Sequence, residues 1–233
     1  MRAIFRKELR EYRRNNSTVT AMAIIPLIFL IQPVVVVLKL SASAAAAIAH
    51  AHVLLYMLAI PALVPALVAA YAVVGERTQG TLEPVLSAPI RREEFLLGKA
   101  LAALVPSVAV AYVVYAAFLA FVELFAAPAV APTLLRWPDV LAQIVFTPLL
   151  AAWSIWLGIG ISARVGDVRV AQQLGMLAGL PAAVVTSLVA FDVIHATVGL
   201  AVGCAALLLV LDGLGWRALA VTLNRERLIT GTR

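Results

Sequence analysis

Long apolar runs alternate with short polar connections along the whole chain, and each run is near the length of about 18 or more residues that a helix needs to cross hydrocarbon. Six such runs stand out, at 19–38, 53–74, 100–122, 140–162, 171–190 and 193–211. Only Phe191 and Asp192 separate the last two, so that stretch reads either as two spans or as one span with a re-entrant hairpin. Apolar residues make up 64% of the 233 positions, against roughly 45–50% in soluble domains. The expectation is an all-α polytopic membrane protein forming one domain over 1–233, with no stretch left to build a soluble one.

Charge then orients the spans. Of the 18 Lys and Arg residues, all but Lys39 and Arg136 fall in the N-terminal stretch, the second-to-third loop, the fourth-to-fifth loop or the tail. Basic residues in short loops are retained on the cytoplasmic side, so six spans with both termini in the cytoplasm are expected. A cleavable signal peptide is the competing interpretation of the N-terminus, but its apolar run is longer than the ~7–15 residues of a signal core. The net charge of +6 does not point to nucleic acid, because the basic groups flank membrane segments without aromatic interleaving. Anionic lipid is the expected counter-charge. The single cysteine, Cys204, excludes a disulfide framework and a thiolate metal site.

Two amphipathic stretches frame the spans. In residues 1–16, Phe5, Leu9 and Tyr12 share one helical face among Arg6, Lys7, Arg10, Arg13 and Arg14, which predicts an interfacial helix. In the cytoplasmic tail, 213–233, Trp216, Leu219 and Leu223 lie on one side with Arg217, Arg225 and Arg227 around them, as in an inner-leaflet anchor.

The loop over 76–99 differs from a loop that merely sets topology, because Glu76, Glu83, Glu93 and Glu94 balance its bases. Gly80 supplies a bend and Thr81 a cap for a short helix whose first turn holds Leu82, Glu83 and Pro84. Leu82, Val85 and Leu86 then share one face, and Pro89 ends the element before a new helix starts near Arg91. A short capped helix below the membrane suits insertion into a groove on a soluble partner.

The string GERTQGTLEPVLSAPIRREEFLLGK resembles the signature loop of ABC-2 type permeases, the membrane subunits of one class of ATP-binding-cassette exporter. The matching positions are Glu76 and Arg77, Gly80 to Glu83, Leu86 to Pro89, and Gly98 with Lys99. The resemblance implies a coupling helix that seats in a separately encoded ATPase subunit. Glu76 and Arg77 would anchor the end of the second span, and Gly80, Thr81, Leu82, Glu83, Pro84, Val85, Leu86, Ser87, Pro89 and Ile90 would form the coupling interface. Arg164, Asp167 and Arg169 are expected as a secondary cytoplasmic contact. It also implies a second permease copy, as homodimer or paralogous heterodimer, in the plasma membrane of a prokaryote. ATP and Mg would bind the ATPase subunit, with no catalytic, cofactor or metal site in this chain. A haem-exporter-like subunit is a rival within the class.

One lookalike falls away: GERTQGT, from Gly75, has Walker A glycine spacing but lacks the phosphate-binding lysine and follows a membrane helix. Within the spans, Gln32, Gln143, Gln172, Gln173 and Thr186 suit interhelical bridging. Asp192 with His195, and His50 with His52, offer too few ligands for a metal site and read as interfacial anchors. Gly175 with Gly179 and Gly199 with Gly203 have GxxxG spacing, which predicts tight packing of the fifth and sixth spans, within a subunit or across a dimer. Prolines interrupt nearly every span. The alternative from another class is an ATP-independent carrier or scaffold, but neither an internal repeat nor an acid securely at mid-membrane supports a carrier.

Overall fold

The computed structural model describes residues 2–14, 16–40, 52–80 and 92–222, and every element among them is helical. Helix α1 (Arg2–Arg14) precedes α2 (Asn16–Lys39), the first span. The second span is composite: a 3-10 turn (Val53–Leu58), α3 (Ala59–Ala69) and α4 (Tyr71–Thr78). Helices α5 (Arg92–Phe125), α7 (Trp137–Ser162), α8 (Val168–Ala190) and α9 (Val198–Thr222) supply the third to sixth spans, with the short α6 (Ala131–Leu134) between the third and fourth. Six helices among the described residues are thus long and apolar enough to cross a membrane. The protein is an all-α, multi-pass membrane protein.

The stretch around Asp192 is a turn between two spans. Helix α8 ends at Ala190, and the amides of Val193 and Ile194 both fold back on the Leu188 carbonyl, at 2.9 and 3.2 Å. Asp192 takes a positive φ of 58°, a conformation short polar side chains tolerate, and its carboxylate lies 3.0 Å from His195 Nδ1. This reversal uses up residues 191–197, so α9 starts at Val198 and not at 193. At its other end α9 runs on to Thr222, and Leu219, expected in the tail, is buried against the bundle.

The second span is the centre of the fold. Every residue of α3 is buried, and its widest contacts are with α7 and α8. Glycines allow that approach. A Cβ at Gly158 would lie 2.8 Å from the Ala69 Cβ and 2.9 Å from the Ala66 carbonyl, and one at Gly179 would lie 2.5 Å from the Ala62 carbonyl. Gly175 likewise faces Ala66. The first GxxxG pair therefore grips the second span, whereas Gly199 and Gly203 meet nothing within 4 Å. Close spacing of glycines permits a tight crossing but leaves the neighbour unspecified.

Prolines open the helix ladders, and hydroxyls from adjacent spans serve the freed carbonyls. Pro148 has no N–H to offer the Ile144 carbonyl, and the Tyr112 hydroxyl of α5 donates to that oxygen at 2.8 Å. Pro65 leaves Pro61 in the same position, and Ser154 Oγ sits 3.5 Å from that carbonyl while donating to the neighbouring Ala62 oxygen. At the end of the bundle away from α1, His52 Nδ1 lies 2.6 Å from Asp139 Oδ1 and Arg136 Nε 3.5 Å from Asp139 Oδ2. The sixth span is fastened differently: Trp156 covers Gly215, where a Cβ would collide with the indole, and donates to Asp212 at 3.1 Å.

Candidate functional site

The functional residues expected at the end of the second span are all charged, and the end of the bundle that carries α1 shows how they are held. Helix α1 buries Ile4, Glu8 and Tyr12, spaced four apart on one stripe, with Phe5 half-buried beside them and Arg6 and Arg10 exposed. The apolar residues join a cluster with Val68, Val73, Phe95, Leu96 and Ile159, so this face of α1 packs on protein. The stripe differs from the one expected from Phe5, Leu9 and Tyr12 by carrying an acid at its middle.

That acid completes a buried ion cluster. Lys99, whose side chain is fully buried in α5, donates to Glu8 Oε1 at 2.8 Å and lies 3.1 Å from Glu76 Oε1 in α4. Lys7 donates to the same Glu76 oxygen at 2.7 Å and lies 3.3 Å from Glu11. The Lys99 ammonium also stands 5.1 Å from the centre of the Phe95 ring. Glu8, Glu11 and Glu76 bring carboxylate oxygens within 4.8 Å of one another, and the two ammonium groups lie among them. Two lysines against two buried acids and a half-exposed one is close to local balance, which a dry site requires.

The cluster changes how its members titrate. Burial raises the Glu8 carboxyl above its ordinary value, because the adjacent Lys99 charge and hydrogen bond only partly oppose it. Burial pulls the Lys7 ammonium down, but the hydrogen bond and charge of Glu76 outweigh it and leave the group raised. Tyr12 is raised by burial, with the Glu8 charge adding to it, and its hydroxyl has no hydrogen-bond partner among the described residues.

Arg77 anchors the second span on the other side. Its Nη1 donates to the Val165 carbonyl at 3.1 Å and its Nη2 to the Ala163 carbonyl at 3.2 Å. These oxygens lie just past α7, where helix carbonyls run out of amide partners and favour a cation. Ser162 adds three bonds: its hydroxyl accepts from Val73 and Val74 at 3.1 and 3.0 Å and donates to Ala70 at 2.6 Å.

Beyond Arg77 the chain bends at Gly80, which has a φ of 68°. Thr81, Leu82, Glu83, Pro84, Val85, Leu86, Ser87, Pro89 and Ile90 lie outside the described residues. The secondary contact set is exposed. Asp167 caps α8 by accepting from the Arg169 and Val170 amides, and Arg164 donates to Gly160 one turn back.

Sequence reasoning placed Glu76, Arg77 and Lys99 in the loop but missed Lys7, Glu8 and Ser162. A signal for Glu8 existed, since an acid four residues from both Ile4 and Tyr12 shares their helical face. Nothing in the sequence marks Ser162, one of several small polar residues in an apolar run.

These features define a multi-pass membrane subunit whose charged loop ends are locked into the bundle. A family model described as ABC-2 family transporter protein matches residues 2–212. The chain belongs to that family and is a membrane permease component of an ABC transporter, a class that works with an ATP-binding-cassette subunit. Among curated proteins, none matched.

Proposed function

We propose that this chain is the permease subunit of an exporter or flippase in which a separate ATPase subunit docks on the loop over 76–99 and drives the spans. The observation that carries this reading is the ion pair between Lys99 and Glu76, which pins the two ends of the loop together in a buried site. A load on the loop then reaches the second and third spans at once, and α1 through Glu8. A loop that served only to connect two spans has no need of a buried charged closure, which costs desolvation free energy.

In this reading the loop and both termini face the cytoplasm of a prokaryotic cell, and two permease copies work with two ATPase subunits. ATP and Mg bind the ATPase, and this chain supplies no catalytic group. The Leu82, Val85 and Leu86 face enters the partner's groove, with Arg164, Asp167 and Arg169 on the next loop as a second, exposed contact. Leu82→Asp or Leu86→Asp is expected to uncouple ATP hydrolysis from movement of the spans while leaving insertion intact. Unchanged coupling in both variants would overturn the assignment.

A further inference from the structure

The second span keeps the fourth and fifth spans as neighbours on both sides of Ala70 but is attached to them differently on each side. Above it, α3 is held by α7 and α8 through close backbone approach at Gly158, Gly175 and Gly179. Below it, the side-chain bonds from α4 and its junction to the fourth span all reach residues 162–165. Ser162 Oγ uses its proton on the Ala70 carbonyl and both lone pairs on the Val73 and Val74 amides, so the hydroxyl is saturated by one helix junction. A side chain inserted beside a helix ladder is a recognised cause of a local joint. Three residues further along, Arg77 spans the Ala163 and Val165 carbonyls.

These bonds differ from ordinary packing in that they are directional, and those of Ser162 are buried while those of Arg77 are half-buried. Ser162 is fully buried, and Val73 and Val74 are buried with it. Sliding α4 along the fourth span would leave the Val73 and Val74 amides and the Ala70 carbonyl without partners in a dry site, where an unmade hydrogen bond is most costly. Bending at Ala70 needs no such loss, because the junction is where α3 ends and α4 begins.

From this geometry we propose that Ser162 and Arg77 are positioning residues that make α4 and the end of the fourth span one mechanical body, hinged to α3 at Ala70. The inference rests on the loop being the ATPase contact. It adds a route: displacement of the loop passes sideways into the fourth span and not straight up the second. The central helix, gripped by glycines, stays in place while the end of its neighbour moves.

The test uses the permease purified with its ATPase subunit in lipid nanodiscs, with pairs of spin labels at Gln79, Gly166 and Val198. All three positions are exposed, and a side chain at Gly166 meets nothing within 4 Å. Trapping the ATPase with ATP and vanadate is expected to shift the 79–198 and 166–198 distances together and to leave 79–166 constant. In Ser162→Ala, and independently in Arg77→Gln, the 79–198 shift is expected to persist while the 166–198 shift falls by at least half. Ser162→Thr, which keeps the hydroxyl, is expected to retain it.

A wild-type 79–166 distance that changes as much as 79–198, or an intact 166–198 shift in both variants, would overturn the proposal while leaving the docking loop in place. No 79–198 shift on trapping wild type would remove the loop reading itself, and the route with it.

Discussion

The second and sixth spans are both long and strongly apolar, yet nearly all of the second is fully buried in the protein and no residue in the best apolar stretch of the sixth is. What separates them is the polar and small-residue chemistry of their neighbours. The second span receives Ser154 and Ser162 from the fourth and is approached by Gly158, Gly175 and Gly179. The sixth presents its own glycine pair to open space and is fastened near one end by Trp156. In lipid, apolar surface alone gives no reason for one helix to sit inside another's contacts, because hydrocarbon tails are as apolar as leucine. Position in the bundle is set by close backbone approach and by hydrogen bonds.

Breaking the charged end of the second span should have the largest effect. Lys99→Met leaves Glu8 buried against Glu76 without its counter-ion and is expected to cost about 3–5 kcal/mol, read as a lower midpoint of thermal unfolding in detergent. Replacing a glycine sharpens the contrast directly. Gly179→Leu drives a side chain into the Ala62 carbonyl and should destabilise by about 1–3 kcal/mol or more, whereas Gly203→Leu should leave the midpoint unchanged. A similar loss from both would mean that the sixth span is also gripped.

Smaller effects are expected where a single bond is removed. Tyr112→Phe takes away the donor that serves the Ile144 carbonyl below Pro148, and a loss of about 1 kcal/mol is expected in the same unfolding assay. The docking of α1 should depend on pH in an unusual direction. Because the folded-state value of Glu8 is raised, its contribution is fully present below the ordinary carboxylate value of 4.5 and is lost as pH climbs through the raised one. A spin label at Arg10 should therefore become more mobile as pH rises from 4.5, and Glu8→Gln should flatten that response.

Much of the architecture was legible from run length, since lipid demands a helix for every span. The glycine pair at Gly175 and Gly179 was legible as a close-packing surface, but its neighbour was not, because spacing along one helix carries no information about the helix opposite. Boundaries failed where local chemistry overrode hydropathy, as at Asp192, where the reversal consumes apolar residues that sequence alone assigns to a span. At the candidate site, motif resemblance located Glu76, Arg77 and Lys99. Their partners, Glu8 for Lys99 and the Ala163 and Val165 carbonyls for Arg77, lie 86 and more residues away along the chain, a pairing only the folded chain reveals.

The central claim, that a separate ATPase drives this bundle through the 76–99 loop, is tested most directly by purifying the protein from its native membrane in mild detergent. The bound proteins would be identified by mass spectrometry and the eluate assayed for ATP hydrolysis. The account predicts a stoichiometric soluble subunit with nucleotide-binding motifs and ATPase activity, both lost from the Leu86→Asp protein. A solitary oligomer without ATPase activity, recovered under the same gentle conditions, would contradict it.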